Sequence, residues 1–330
     1  MTTSGPGKRS TSFRRPLLAN ESLHRLRRES AAELAANELN LITQHWRVGF
    51  YVVAVLVAAW VWMLSFKLGF RPPEWLAVAV LMYIPGLLSV VFRVAFKEGF
   101  RDVGWRVGSG CFWLWAYLAP LVLAAVSFAV ALLFGKVTLA PRLDEQKMLD
   151  ALVFKLAWLL PDSSMAGLLG QRFLFVALVG IIPGFIFAFG EELGWRGYLL
   201  TRLLQTGWPF PLLLSGLIWG IWHLPFLLLT GYGHGPVSVA MFTALTILFG
   251  VFVGWLRLIS GSVFVASMAH ASFNGFVQSF FGVSFVGERS WFWTGDYGIF
   301  VLIPYGFLVA WLYLTKSIQA VRLSEARLTD

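Results

Sequence analysis

The sequence predicts an all-α protein, a polytopic membrane helix bundle with about eight transmembrane helices. Of its 330 residues, 58% are hydrophobic and only 13% are charged, whereas a soluble domain carries roughly 25% charged residues. The chain has no Lys, Arg, Asp or Glu between Arg202 and Arg257, and such a stretch does not cover a surface that faces water. It suits lipid, where a segment must satisfy its own backbone hydrogen bonds, as a helix does.

Eight segments approach the length of a membrane span, since a spanning helix needs about 20 mostly apolar residues. The second and the fourth are the shortest, so their ends are the least sharply defined by composition. In chain order the predicted spans are Val48–Phe66, Trp75–Phe92, Cys111–Phe134, Phe173–Gly190, Pro209–Thr230, Val237–Leu256, Ser262–Phe281 and Tyr297–Thr315.

The basic residues predict the orientation of these spans. With the N-terminus in the cytoplasm, 18 of the 26 Lys and Arg residues fall on the cytoplasmic side and 8 on the other side, as the positive-inside rule requires. We therefore expect a multi-pass protein of the cell (plasma) membrane with both termini in the cytoplasm. The net charge of +9 is assigned to this topology and to contact with the anionic headgroups of the lipid bilayer, and no nucleic-acid partner is expected.

The chain is predicted to consist of four consecutive regions. The first is polar, basic and partly disordered, and it is too long for the n-region of a signal peptide, so the first span is expected to be retained. The regions are residues 1–47, a cytoplasmic basic tail; residues 48–172, the first three transmembrane helices and a polar loop; residues 173–281, a core with polar motifs; and residues 282–330, the last transmembrane helix and a C-terminal tail.

The first polar motif closes the predicted fourth span at its cytoplasmic end. Ionisable residues at membrane depth are costly and tend to be functional. Glu192 and Arg196 are four residues apart and can pair on one helix face. Glu191 lies about 100° round the helix from Glu192 and is left as a spare carboxylate, which suits general-base chemistry. The alternative is an interfacial charge cluster at a helix end.

Two further polar groups lie inside the predicted fifth and seventh spans. His223 has no ionisable neighbour in its own helix, so a functional partner must come from another helix; the alternative is a neutral histidine bonded to a backbone carbonyl. His270 and Asn274 are four residues apart and share one helix face. The amide of an asparagine can stabilise an oxyanion, although such residues also form polar contacts between membrane helices.

Together these positions supply a carboxylate base, two imidazoles and an amide, an inventory that suits hydrolysis of an amide bond. It would also suit proton relay in a transporter, and composition does not separate the two. A proton-coupled transporter would be favoured by broken helices in matching positions of two halves. Pro183-Gly184 is one such break, without a counterpart in matching register.

The three motifs, in this order, resemble those of the CPBP family of intramembrane proteases, which includes the type II CAAX prenyl endopeptidases and the Abi proteins. That family carries Glu-Glu-x-x-x-Arg, then an aromatic-x-x-x-His, then His-x-x-x-Asn/Asp, each on a separate helix. This sequence has Glu191-Glu192-Leu193-Gly194-Trp195-Arg196, Trp219-x-x-x-His223 and His270-x-x-x-Asn274. The residue at the aromatic position departs from the family, which usually has Phe there. The resemblance covers residues 173–281.

The resemblance implies an eight-helix bundle with endopeptidase activity in a cavity open to the cytoplasmic side. Glu191 would activate water with the help of His223. His270 and Asn274 would hold the oxyanion of the tetrahedral intermediate, and the Glu-Arg pair of the first motif would brace the site. The implied substrate is a membrane-associated peptide or protein, prenylated or not.

A bound metal is an open question at the level of sequence. Members of the family are commonly called metalloproteases, and two His with one Glu can form a catalytic zinc set, here His223, His270 and Glu191. The sequence has no His-Glu-x-x-His motif, so a metal-free glutamate mechanism also stays open. A non-catalytic scaffold, or an immunity or chaperone-like protein of the same fold, is the alternative function within the family.

Overall fold

The structure, a computed structural model, describes residues 15–140, 165–315 and 317–318. It divides into two units, residues 1–47 and residues 48–330. The first unit is helical from Arg15 onward, so the described part of the predicted tail is a helix. The middle of the predicted polar loop and most of the C-terminal tail lie outside the described residues.

The described elements are almost entirely helical, and the predicted all-α bundle is confirmed. The α-helices are α1 (Arg15–Lys67), α2 (Glu74–Ala95), α3 (Gly110–Leu133), α4 (Met165–Phe175), α5 (Ile181–Gly194), α6 (Leu200–Gln205), α7 (Pro211–Trp222), α8 (Leu224–Leu229), α9 (Pro236–Ser260), α10 (Val263–Phe273), α11 (Gly282–Ser284), α12 (Ser290–Trp293) and α13 (Ile299–Leu314). The remaining elements are a 3-10 turn, Arg101–Val103, three π turns, Val176–Gly180, Trp195–Leu199 and Asn274–Phe281, and two antiparallel two-residue strands, β1 (Thr138–Leu139) and β2 (Phe285–Val286).

Six helical segments of the described chain are long and apolar enough to cross a membrane, which makes this a multi-pass integral membrane protein. The structure has helix at all eight predicted positions. The two that fall outside the six are α13, with 16 residues, and α10 with the π turn that follows it. The six are Leu41–Lys67, Glu74–Ala95, Gly110–Leu133, Gly167–Gln205, Pro211–Leu229 and Pro236–Ser260.

The fourth span differs from its prediction, because it does not end at Gly190. The helical segment Gly167–Gln205 has 39 residues, and it continues through the charged motif. The predicted end was placed at the first charges, whereas in the structure Glu191, Glu192 and Arg196 are all buried and the helix runs on around them. The first motif therefore lies well inside this helix and not at its end.

Pro183 does not break the helix either. Proline lacks an N–H and clashes with the carbonyl four residues earlier, here that of Val179. The π turn Val176–Gly180 contains that residue and takes up the lost bond, as π turns do within otherwise continuous helices. The predicted break is therefore a local widening between α4 and α5.

Small residues bring the helices around the motifs close together. A Cβ atom at Gly190 would lie 2.7 Å from the ring of Tyr83, so only glycine lets α5 approach the middle of α2 this closely. Gly216 has the same role between α7 and α9, where a Cβ atom would lie 2.7 Å from Ile247 Cα. Such contacts are typical of packed membrane helices, and they fix the helices that carry the polar motifs.

A charged network closes one end of the bundle, which we call the Arg93 end. Arg93 Nη1 donates to Asp102 Oδ1 at 2.5 Å, and Arg202 pairs with Asp102 and, at 3.0 Å, with Glu98. Arg257 Nη2 donates to the backbone carbonyl of Asp102 at 2.8 Å. These contacts join the ends of α2, α6 and α9.

Loops meet at the opposite end of the bundle, which we call the Asp296 end. The Tyr297 hydroxyl donates to the carbonyl of Tyr232 at 3.0 Å, and Gln278 Nε2 donates to Asp296 Oδ2 at 3.0 Å. The pairing of β1 with β2 joins the chain after α3 to the chain after α10. The two ends are thus built differently, one from buried ion pairs and the other from loop contacts.

The stability of the Arg93 end is expected to depend on pH through Asp102. Burial raises the pKa of Asp102, but Arg202 and Arg93 lower it more, so the pKa is below its usual value. The pairing therefore contributes stability above the unfolded pKa of about 3.9, and this contribution is lost as the pH falls through the lowered folded pKa. The melting temperature of Asp102→Asn should be lower than that of wild type at neutral pH and approach it in acid. The exposed control Glu288→Gln should not show this lower melting temperature at neutral pH. A gap in melting temperature that is the same at every pH would contradict this assignment.

Candidate functional site

Two tryptophan side chains hold the carboxylate of Glu191 in place. Its Oε2 accepts hydrogen bonds from Trp219 Nε1 at 2.7 Å and from Trp195 Nε1 at 3.3 Å. The side chain is only 3% exposed, and neither bond uses Oε1. Glu191 is therefore oriented by neutral donors, without an arginine against it in the described contacts, as the sequence predicts for the spare carboxylate.

Glu192 is the centre of a buried charge cluster that joins two helices. Its Oε1 accepts from Arg196 Nη1 at 2.8 Å and from His270 Nδ1 at 2.9 Å. The predicted ion pair between Glu192 and Arg196 is thus present, and His270 from α10 is a second partner of Glu192. Because Glu192 is fully buried, the arginine and the imidazole supply to Oε1 the polar contacts that water would otherwise provide, whereas Oε2 has no hydrogen-bond partner among the described residues.

The guanidinium group of Arg196 contacts several neighbours. Its Cζ lies 4.4 Å from the ring centroid of Trp219, a distance suited to a cation–π contact, and its Nη2 donates to the carbonyl of Gly250 in α9 at 3.4 Å. The same tryptophan therefore touches both the arginine and the carboxylate of Glu191. This arrangement couples the two adjacent glutamates without a direct contact between them.

The π turn Trp195–Leu199 carries Arg196 and is held from the Arg93 end. Arg93 Nη2 donates to the carbonyl of Gly197 at 2.7 Å, a group within the turn. A π turn leaves some backbone groups without their usual helical partners, and Arg93 supplies one. The charged network at the Arg93 end thereby supports the turn next to the functional motif.

Each histidine is fixed by its Nδ1 atom. His223 Nδ1 lies 2.9 Å from the carbonyl of Trp219, and His270 Nδ1 faces the carboxylate of Glu192. Neither partner can donate a hydrogen, so both Nδ1 atoms carry one. In the neutral ring the remaining nitrogen, Nε2, is then an acceptor; in the imidazolium it is a donor.

The structure brings four of the six predicted site residues to one cavity of about 230 Å³: Glu191, His223, His270 and Asn274. They come from α5, the junction of α7 and α8, α10, and the π turn after α10. Apolar side chains form most of the wall, among them Phe226, Phe242, Phe249 and Phe273. Glu192 and Arg196 do not line this cavity and lie behind its wall.

Three polar residues of the cavity were not predicted from the sequence: Thr246, Gln278 and Asp296. Gln278 lies four residues after Asn274, and that spacing on one helix face is the signal that could have identified it. Thr246 and Asp296 do not belong to any of the three motifs. Only the packing of α9 and of the loop before α13 brings them to the site.

The arrangement of the described residues does not fit a metal site as it stands. They include no group of three or more His, Cys, Asp or Glu side chains placed to hold a metal ion, although a catalytic zinc needs about three protein ligands. His223, His270 and Glu191 share the cavity but not a common coordination point. Whether zinc binds, which the sequence left open, stays untested, and no step below is assigned to a metal.

Loss of Arg196 should destabilise the protein. Arg196→Ala would leave Glu192 buried with His270 as its remaining partner, and removing one member of a buried pair costs roughly 3–5 kcal/mol. Arg106→Ala, at an exposed arginine, should change the free energy of unfolding by about 0.5 kcal/mol or less. The measurement is thermal unfolding in detergent, and equal melting temperatures for the two variants would contradict the bracing role.

Glu191, His223, His270 and Asn274 lie within a segment that matches a known family. Residues 170–276 match the family model of the type II CAAX prenyl endopeptidase Rce1-like family, and these residues include the three motifs. A comparison of the chain with curated proteins gives no match. Residues 170–276 are therefore similar to the type II CAAX prenyl endopeptidase Rce1-like family, the resemblance that the three motifs predicted.

Proposed function

We propose that the protein is an intramembrane endopeptidase that cleaves a peptide bond of a membrane-associated peptide or protein. The observation that carries this proposal is the convergence of Glu191, His223, His270 and Asn274 on one cavity. A carboxylate that is oriented but not paired with an arginine, next to imidazole and amide groups, is the set that amide hydrolysis needs.

Activation of water is assigned to Glu191 and His223. Glu191 has a second oxygen that is not used by the tryptophans, and His223 presents Nε2 as an acceptor while Nδ1 stays bonded to Trp219. A water molecule has two hydrogens, and these two acceptors can orient it. Glu191 takes one proton as general base while the water oxygen forms a bond to the carbonyl carbon of the substrate.

Stabilisation of the resulting oxyanion is assigned to Asn274 and His270. The amide of Asn274 has two N–H donors, and His270 can donate from Nε2 as an imidazolium balanced by the carboxylate of Glu192. Donors that are already in place when charge develops lower the barrier most effectively. The C–N bond then breaks, and Glu191 returns its proton to the leaving nitrogen.

Glu192 and Arg196 serve as positioning residues in this scheme. Glu192 holds the ring of His270 through Nδ1, and Arg196 holds Glu192 and stacks on Trp219. Trp219 in turn bonds Glu191. Within the first motif, Glu191 therefore acts on the water molecule, and Glu192 positions the ring of His270.

Replacement of Glu191 should separate activity from folding. Glu191→Gln keeps the shape of the side chain but removes the base, so the rate of cleavage should fall by roughly 10²–10⁴-fold with little change in melting temperature. The assay is cleavage of a library of membrane-associated peptides in detergent or liposomes, and Glu288→Gln is the matched control at an exposed site.

Two outcomes of that assay would reject parts of the proposal. Full activity in Glu191→Gln would defeat its assignment as the base, and Glu192 would become the next carboxylate to test. Absence of cleavage by the folded wild-type protein, on every peptide, would favour the non-catalytic scaffold or the proton-coupled transporter.

Removal of metal should leave the activity intact. The described residues hold no cluster of three metal-binding side chains, and in the scheme above Glu191 carries the proton while His223 orients the water. Protein treated with chelator and shown to be free of zinc by elemental analysis should cleave at the rate of the untreated protein. Loss of activity that added zinc restores would instead establish a metalloprotease.

A further inference from the structure

Two hydrogen-bonded polar side chains of the cavity have no part in the chemistry assigned above. Gln278 belongs to the π turn after α10, and Asp296 lies in the loop before α13. Both line the cavity, and Gln278 Nε2 donates to Asp296 Oδ2 at 3.0 Å. Thr246 differs from them, because its hydroxyl already donates to the carbonyl of Thr243. The glutamine and the aspartate therefore form a polar pair at the cavity, which we call the amide–carboxylate pair.

The aspartate determines which way the amide group of Gln278 is turned. An ionised carboxylate only accepts hydrogen bonds, so Nε2 faces Asp296 and Oε1 faces away from it. Oε1 accepts no hydrogen bond from the described part of the chain, and Nε2 carries a second hydrogen beyond the one given to Asp296. Gln278 thus presents one acceptor and one donor to the cavity. A peptide group carries the complementary donor and acceptor, an N–H and a C=O.

The loop that carries Asp296 is itself held in place. The N–H of Gly298 donates to the carbonyl of Gly295 at 2.6 Å, which closes a tight turn with the aspartate at its second position. The neighbouring Tyr297 is only 3% exposed, and its hydroxyl donates to a carbonyl of the loop after α8. A group that is already fixed loses less conformational entropy when it binds a ligand. The amide–carboxylate pair is therefore preorganised for one.

The pair lies one helical turn from the amide of Asn274, to which the oxyanion is assigned. Gln278 follows Asn274 by four residues, and one turn advances about 5–6 Å along a helix axis. An extended peptide advances about 3.3 Å per residue. A substrate strand that runs along this helix, with its scissile carbonyl at Asn274, therefore brings to Gln278 a peptide group about two residues away.

The rest of the cavity wall makes such a contact valuable. Apolar side chains form most of the wall, and they offer no hydrogen bond to a peptide group that has left water. Transfer of a peptide group from water without a new hydrogen bond is costly. An endopeptidase substrate has peptide groups on both sides of its scissile bond, and Gln278 can satisfy one of them.

We propose that Gln278 is a substrate-binding residue, which pairs with a backbone peptide group about two residues from the scissile bond, and that Asp296 positions it. This inference rests on the proposed endopeptidase function and names a contact that sets the register of the substrate. Because the contact is with the backbone, it determines where the substrate chain is cut and does not select a side chain at that position.

A cross between enzyme variants and modified peptides tests the contact. A library peptide that the wild-type protein cleaves in detergent is remade with one backbone N–H at a time replaced by N–CH3, outside the scissile bond. In wild type, methylation at one position near the scissile bond should lower kcat/KM by roughly 3–10-fold, the range of one hydrogen bond. Gln278→Ala should lower kcat/KM for the unmodified peptide by a similar factor and should be insensitive to methylation at that position.

Gln205→Ala is the matched control for this cross. Gln205 also donates to an aspartate, Asp102, at 3.3 Å, but that pair belongs to the Arg93 end and does not line the cavity. The control should keep the wild-type pattern of sensitivity to methylation. Melting temperatures are measured alongside, and because Gln278 is exposed, Gln278→Ala should melt close to wild type.

The positioning role of Asp296 is tested in the same way with Asp296→Asn. An asparagine amide can donate as well as accept, so the amide of Gln278 is no longer held in one orientation. The sensitivity to methylation should therefore be smaller than in wild type at the same position. Full wild-type sensitivity in Asp296→Asn would overturn the positioning role, and equal sensitivity of wild type and Gln278→Ala at every position would overturn the contact itself.

Peptide binding separates this inference from the proposed function. Cleavage without a difference between wild type and Gln278→Ala refutes the inference alone. If the folded wild-type protein cleaves no peptide, the endopeptidase is refuted, and the Kd of the same peptides, labelled with a fluorophore and measured by anisotropy, decides the contact. Methylation that raises the Kd in wild type but not in Gln278→Ala would support the contact, whereas equal Kd values, or no binding of any peptide, would overturn it.

Discussion

The burial of Glu192 is the constraint on which the rest of the site depends. A carboxylate removed from water is costly unless charged or hydrogen-bonding partners surround it, and Glu192 is fully buried inside a spanning helix. Arg196 and His270 satisfy one of its oxygens from two different helices. Because those contacts require a fixed distance between α5 and α10, the electrostatic demand of one side chain constrains how these two helices pack.

The need of Glu192 for polar partners also places two glutamates that are adjacent in the chain in different environments. Neighbouring residues on a helix point about 100° apart, so Glu192 faces its partners behind the wall while Glu191 faces the cavity. Trp219 lies between the two environments, stacked on Arg196 and bonded to Glu191. One indole therefore contacts both the charge cluster and the carboxylate in the cavity.

The two ends of the bundle follow from where polar groups can be satisfied. At the Arg93 end, arginines from three helices converge on Asp102 and Glu98 and leave the space beneath them filled with aromatic side chains. At the Asp296 end, loop residues contact each other around the cavity. The described bundle therefore has one end that is packed by buried ion pairs and another end at which polar contacts lie beside the cavity.

The sequence by itself predicted the fold class, the family whose model residues 170–276 match, and the four motif residues that meet in the cavity. Apolar runs of about 20 residues leave few alternatives in lipid, and the spacing of Glu192 and Arg196 predicts their contact within one helix. The pairing of Glu192 with His270, the indole bonds to Glu191 and the arrival of Thr246 and Asp296 at the cavity were decided by tertiary structure alone. Those contacts join segments that are far apart in the chain, so the spacing of residues within one helix does not predict them. The end of the fourth span was misplaced for a related reason: charges read along a chain signal an interface, whereas charges that find partners across helices can remain inside the bundle.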